Sequence, residues 1–414
     1  MIIIVGGGLA GLSLGQGLKQ ANIPFRIYER DTHASFRAQG YRIRISSDGA
    51  AALKKLFPPR LYDAFEATCA KVVLGGHAVN AATGVELEFH LPGGRGSPQH
   101  AGKSHNADRA VLRNLLLHGL EGYVEFGKKM ERYELNEGGG VTAHFSDGSI
   151  AEGDLLIGAD GVRSSVRRQL LPDFKILDTE GRPVFGKTLV SDPLTTQLPK
   201  QIGNGLTLAY KEDEPRMKLF TDGMAFDRTL STEYEHEMDL KVPADYIYWV
   251  LLFRKDVLPD EHANLLSLSG HQSVEKSLEL TESWHHSLRV LLEEQIPDAA
   301  STLAFLTSTP SFGSDWEAQS GEGKGRVTLM GDAAHPMPPV GGIGANAGFQ
   351  DSAALFAALR DASEPSGRGE QVVMAHQKAM LERAQPVVDM SAGGAGRFFG
   401  MKPMDELKPA ELWH

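Results

Sequence analysis

The sequence predicts an α/β protein: a doubly wound, parallel-sheet domain interleaved with a second, β-sheet domain and followed by C-terminal helices. Three observations lead to this. Residues 1–29 read as strand, glycine turn, helix and strand, the opening βαβ unit of a parallel sheet. Two later apolar runs, at 155–157 and 326–330, each end in a glycine turn bearing an aspartate, as strands do when the chain returns to the same sheet. Between them, from about residue 174 to 306, long strand-like stretches replace the strand–helix alternation.

In chain order, Ile2 to Val5 form the first strand, and Leu9, Leu12, Leu14 and Leu18 give the next segment a helical stripe. Phe25 to Tyr28 form the second strand. Residues 42–45 alternate as a strand, Asp48 is placed to cap a helix carrying Ala51, Leu53 and Leu56, and residues 91–106 have loop composition. A helix is expected over 108–120, a hairpin over 124–151, strands at 184–190 and 246–254, and a helix over 345–360. The glycine-rich stretch 391–400 predicts a loosely packed C-terminal segment. This assigns residues 1–72, 104–173 and 310–362 to the first domain, 73–103 and 174–309 to the β-sheet domain, and 363–414 to a C-terminal helical segment.

A chain of 414 residues, 41% hydrophobic and 23% charged, has material for a core of that size. Its net charge of -11 works against broad binding to nucleic acid or anionic lipid and favours a small-molecule partner, with the protein as monomer or homodimer. The single cysteine, Cys69, leaves no internal disulfide and no paired-thiol chemistry, which fits a reducing, cytoplasmic setting. Met1 runs straight into an apolar strand, so no leader is expected. The apolar run 246–253 is far short of the roughly 20 residues of a membrane-spanning helix, so no span is expected.

The chemistry is carried by three motifs. Gly6-x-Gly8-x-x-Gly11 follows a strand and opens a helix: Gly6 permits the turn, Gly8 lets a pyrophosphate approach the backbone, and Gly11 permits close helix packing. Glu29 closes the second strand 23 residues after Gly6, where a carboxylate accepts from adenosine ribose hydroxyls, and Arg30 accompanies it. These features predict a dinucleotide site and leave FAD and NAD both open. The second motif is Gly158-Ala159-Asp160-Gly161. The third is Gly331-Asp332-Ala333-Ala334-His335-Pro336, continuing through Pro339, Gly341 and Gly342 to a helix beginning near Ala345 and Asn346. Aspartates at strand carboxyl ends suit ribityl hydroxyls, a side-chain-poor loop suits a flat ring, and a helix N-terminus suits negative charge on that ring.

Together these residues resemble the class A flavoprotein monooxygenases, which include p-hydroxybenzoate hydroxylase, salicylate hydroxylase and the tetracycline-inactivating monooxygenases. The resemblance spans nearly the whole chain. It implies a Rossmann-like FAD-binding domain of p-hydroxybenzoate hydroxylase type, with non-covalent FAD held by Gly6, Gly8, Gly11, Glu29, Arg30, Asp160 and Asp332. The Arg-x-x-Leu pattern at Arg109 implies a further flavin contact, and Arg37, Arg42 and Arg44 lie where the family often brings basic groups near the pyrophosphate. It implies NADPH or NADH as co-substrate, O2, and hydroxylation of an aromatic or polycyclic molecule through a flavin C4a-hydroperoxide. An epoxidase, an oxidative decarboxylase, or a flavin oxidase or dehydrogenase are the alternatives. The segment Gly40 to Ile45 departs from the salicylate-type pattern towards members that tailor natural products, and no thioredoxin-like C-terminal domain is expected in this length.

Some positions stay open in the sequence. His335 reads as a base or as a structural turn histidine, and no catalytic side chain is assigned. Tyr246, Tyr248 and Trp249 lie on one strand-like stretch, and alternation alone does not say which face is turned inward. No metal site is expected.

Overall fold

A computed structural model describes residues 1–33, 42–89, 102–213, 217–258, 265–308, 316, 325–362 and 369–411. Arg37 and most of the 91–106 stretch lie outside these residues. A five-stranded sheet forms the first layer, in the order Val327–Leu329, Leu155–Gly158, Ile2–Val5, Phe25–Glu29 and Val124–Phe126, all parallel. Its central strand is buried along its whole length, which is why Ile2 to Val5 is a continuous apolar run instead of an alternating one. Burying each such side chain contributes roughly 1.5–3 kcal/mol. The helices Leu9–Gln20 and Gly344–Asp361 pack against each other, although nearly the whole sequence separates them.

The second layer is a seven-stranded sheet in the order Ser301–Thr302, Gly181–Leu189, Tyr246–Arg254, Lys218–Met224, Leu206–Tyr210, Gly76–Asn80 and Glu86–Leu87. Its long inner strand Tyr246–Arg254 settles the facing question. Tyr246, Tyr248, Val250 and Leu252 belong to the hydrophobic cluster shared with the first domain. Ile247, Trp249, Leu251 and Phe253 point into a separate core with Leu288, Leu291 and Leu292, where the Trp249 indole donates to Thr188 Oγ1 at 3.1 Å. A short antiparallel pair, Arg42–Ile45 with His105–Asp108, belongs to neither large sheet.

Local signals set several boundaries. Ser46, not Asp48, is the N-cap of the helix Ser47–Leu56, accepting from Gly49 N at 3.2 Å, while Asp48 sits in the first turn, where its charge suits the helix dipole. Asp108 caps Arg109–Leu117 by accepting from Ala110 and Val111 N–H groups. Of the expected hairpin over 124–151, Val124–Phe126 joins the parallel sheet instead, and Met130–Asn136, Gly140–Phe145 and Ile150–Gly153 make a separate three-stranded sheet. The loosely packed C-terminal segment is overturned: one helix runs through Glu370–Phe399, with Ser391, Ala392, Ala395 and Phe399 buried. Its glycines serve close approach, since a Cβ on Gly394 would lie 2.9 Å from the Val340 side chain. No helix among the described residues is long and apolar enough to cross a membrane.

Candidate cofactor site

The glycine motif lines a cleft of about 540 Å³ at the carboxyl end of the parallel sheet, with Glu29, Arg30, Arg109 and Asp160 along the same walls. Gly6 has φ +112°, and a Cβ there would sit 2.4 Å from the Ala159 carbonyl oxygen, so no other residue fits. Gly11 meets the Gly6 carbonyl oxygen, which would stand 2.1 Å from its Cβ. A Cβ on Gly8 would have nothing within 4 Å. The helix Leu9–Gln20 starts at Gly8 without a side-chain cap, so its first N–H groups lack a side-chain acceptor, as an anion site requires.

Glu29 is buried, and its carboxylate is part of the turn itself. Oε2 accepts from Gly7 N at 2.6 Å, and Oε1 accepts from Asp31 N at 2.9 Å. Each oxygen keeps further lone pairs for a ligand. Asp160 accepts from the Ser164 hydroxyl and from Ser165 N at 2.7 Å, tying the strand end to the start of the helix Ser165–Leu170. Burial raises its pKa above the ordinary range, and the bonds from Ser164 and Ser165 pull against that rise.

The third motif builds the other end of the site. Asp332 is exposed, and among the described residues its carboxylate accepts no hydrogen bond. The protein around it raises its pKa, opposed by His335, Arg109 and Arg167. Gly344, at the start of the helix Gly344–Asp361, lies beside it, with a would-be Cβ 3.9 Å from Asp332 Oδ1. That helix has no side-chain cap, and its first backbone bond runs from Ala347 N to Ile343, leaving the N–H groups of Gly344, Ala345 and Asn346 without helical partners. Pro339 is exposed, and Gly341 and Gly342 adopt φ of +86° and +66° to turn the loop towards the helix.

Two expected residues have other neighbours. The Asn346 side chain is fully employed: Oδ1 accepts from Ser46 N at 2.9 Å, and Nδ2 donates to the Arg44 and Gly342 carbonyls. Arg42 does not line the glycine-motif cleft; it pairs with Asp222 of the second sheet at 2.6 Å and lies over the Phe220 ring.

Several groups escaped sequence reasoning. Arg167 is buried and donates to the Ala333 carbonyl at 2.8 Å and to the Val162 carbonyl, bolting the second motif to the third. Burial pulls its pKa down to about 10. His335 and Asp351 form a buried pair behind the loop, with Arg383 of the C-terminal helix on the other carboxylate oxygen at 3.1 Å. Lys187 and Tyr246 both reach Asp108 Oδ2, at 2.7 and 2.8 Å. A signal existed for Arg167, which follows Gly161 by six residues at the start of the next helix; the other contacts join residues too far apart for any local pattern.

The donor set fits FAD. Open space over Gly8 and an uncapped helix suit a pyrophosphate, Glu29 suits a ribose, Asp332 suits ribityl hydroxyls, and the second uncapped helix suits a flavin ring. Comparison with known proteins agrees with this. The FAD binding domain family matches residues 1–221 and 311–391. The dual O-methyltransferase/FAD-dependent monooxygenase elcB of Phaeosphaeria nodorum is 33% identical over 99% of this chain, and the dual enzyme CTB3 of Cercospora beticola is 33% identical over 97%. The chain spans less than half of those two relatives, 47% and 46%. The FAD-dependent monooxygenase phnB of Penicillium herquei is 25% identical, covering 94% of this chain and 89% of phnB. Among solved structures, Klebsiella pneumoniae HpxO with FAD and uric acid superposes with TM-score 0.72 at 20% identity, over 96% of this chain and 89% of HpxO. A salicylate hydroxylase substrate complex superposes with TM-score 0.69 at 19% identity, over 97% and 89% of the two chains. The chain therefore belongs to the FAD-binding domain family and has the fold of the class A flavoprotein monooxygenases.

Proposed function

We propose that this protein is an FAD-dependent monooxygenase that uses NAD(P)H and O2 to hydroxylate a small aromatic or polycyclic molecule. The observation that carries this reading is the meeting of two surfaces. Val340 and Ala345 of the third motif pack against the same hydrophobic cluster as Phe185, Phe220 and Tyr248 of the second sheet and Phe305 next to it, which supports an aromatic wall facing the ring end of the cofactor site. Such a wall stacks a flat substrate and keeps water from a reactive oxygen donor.

When bound, reduced FAD supplies the activation of O2, and NAD(P)H supplies the electrons. The chain's own residues position and protect. Glu29, Arg30 and the backbone at Gly8 hold the adenosine end, with Asp160 and Arg109 on the same cleft. Asp332 orients the ribityl end. The N–H groups of Gly344, Ala345 and Asn346 place a positive helix end against developing negative charge, and Pro339 and Gly342 offer a flat, narrow surface.

The test is a panel of phenols, anthraquinones and indoles incubated with the FAD-loaded protein, NADPH and 18O2. One 18O atom in a product, with NADPH oxidation accelerated by that compound, is the expected result. NADPH oxidation that yields only hydrogen peroxide, with no label in any product, overturns the oxygenase reading in favour of an oxidase.

A further inference from the structure

Against the sheet face turned to the first domain, two cations are paired with carboxylates. Arg42 is held by Asp222, and Lys187 is held by Asp108. Lys218 breaks the pattern. Among the described residues it has no carboxylate within ion-pair distance; its ammonium lies instead over two rings, Phe398 at 5.3 Å and Tyr210 at 5.7 Å. Register fixes where it points. It stands opposite Leu252 on one neighbouring strand and Tyr210 on the other, two and four positions from Phe220 and Asp222 on its own strand, which puts it on the same face as both.

Ring faces attract a cation but cannot take up three N–H donors. Lys218 is partly withdrawn from water, and burial lowers its pKa from the usual ammonium range, a sign that nothing nearby compensates the charge. Around it run aromatic contacts: Phe220 packs edge-on to Tyr248 at 6.1 Å, and Tyr248 stacks with Phe185 at 6.4 Å. A partly dry cation at the rim of an aromatic wall is built to meet an anion carried on a flat ring.

Resting on the oxygenase reading above, we infer that Lys218 is a specificity-determining residue that binds an ionised carboxylate or phenolate on an aromatic substrate whose ring stacks along Phe220 and Tyr248. The anion gains a charge-assisted hydrogen bond from Lys218, while Arg42 and Lys187 are already held by carboxylates. Anionic ring compounds are thereby selected over neutral ones of the same shape.

The experiment is calorimetric titration of the FAD-loaded protein with 3-hydroxy-2-naphthoate and with 2-naphthol, which share a ring system and differ in the carboxylate. The protein should bind the naphthoate about tenfold or more tightly than 2-naphthol, the scale of one charge-assisted hydrogen bond. Lys218→Met should bring the two affinities together chiefly by weakening the naphthoate, and Lys218→Arg should keep the preference. Equal affinities in the unmodified protein, a preference that survives in Lys218→Met, or no binding of either compound would each overturn the inference. Because binding is read as heat, without turnover, the result stands apart from the 18O2 test: an oxidase that still prefers the naphthoate through Lys218 would refute the oxygenase reading alone.

Discussion

Nε2 of His335 lies 2.6 Å from Oδ2 of Asp351, and both side chains are buried. The same carboxylate accepts from Gly331 N at 3.0 Å, so the pair fixes the first residue of the loop that carries Asp332. Burial alone would lower the His335 pKa, but the Asp351 charge and hydrogen bond outweigh it and hold it above its ordinary value, while His335 holds Asp351 below its own.

Asp351→Asn should destabilise the protein by about 3–5 kcal/mol in urea unfolding, because it strands a buried cation and loosens Gly331. The pH dependence follows from the directions of the two shifts. The contribution of His335, raised on folding, is complete below its unfolded pKa near 6.5 and is lost as pH rises through its folded value. The contribution of Asp351, lowered on folding, is present above its unfolded pKa and is lost as pH falls through its folded value. The gap between the unmodified protein and Asp351→Asn should therefore narrow towards high pH and towards strong acid. A gap that stays constant over both limits contradicts an ionic pair.

Glu29→Ala should weaken FAD binding by about 1–3 kcal/mol, since a ribose loses a charged acceptor and the Gly7 N–H loses its partner. At saturating FAD the rate of product formation should change little. Flavin fluorescence titration gives the first quantity and steady-state turnover the second; an inactive but saturated variant would give Glu29 a different role.

Asp332→Ala should harm coupling more than Glu29→Ala does. Asp332 stands beside Gly344 at the ring end, and a displacement of about 1 Å there is worth on the order of a hundredfold in rate. Hydrogen peroxide released per NADPH consumed should rise. Normal FAD affinity together with unchanged peroxide yield would remove the ring from this loop.

Gly6→Ala and Gly8→Ala separate folding from binding. A Cβ at Gly6 collides with the Ala159 backbone, so that variant should be insoluble or strongly destabilised. A Cβ at Gly8 meets only open space, so the apoprotein should keep its stability within about 0.5 kcal/mol while losing most of its FAD affinity. Urea unfolding of apoprotein and FAD titration together test the pair, and Gly8→Ala with unimpaired FAD binding would dissociate that glycine from the pyrophosphate.

What the sequence made legible was local. The βαβ opening, the three glycine motifs and the long strands at Gly181–Leu189 and Tyr246–Arg254 follow from periodicity and turn chemistry over short windows. Alternation separated Tyr248 from Trp249 without telling inside from outside, because both faces of that strand are buried, one against the first domain and one in its own core. Arg42 could not be matched to Asp222 across 180 positions, and no local signal joins His335 to Arg383. The glycines after Ser391 suggested a loosely packed segment; tertiary packing overrode propensity, since Ser391 bonds the Pro338 carbonyl and Gly394 admits Val340.

The strand order has a consequence for biosynthesis. Leu155–Gly158 lies between Ile2–Val5 and Val327–Leu329, so one of its edges is covered by a strand translated some 170 residues later. Until that strand emerges from the ribosome, an apolar edge is presented to other nascent chains, and the Asp332 loop that follows it does not yet exist. Cofactor capture is therefore a late event in the life of each polypeptide. Chaperone demand should peak during synthesis of the intervening sheet.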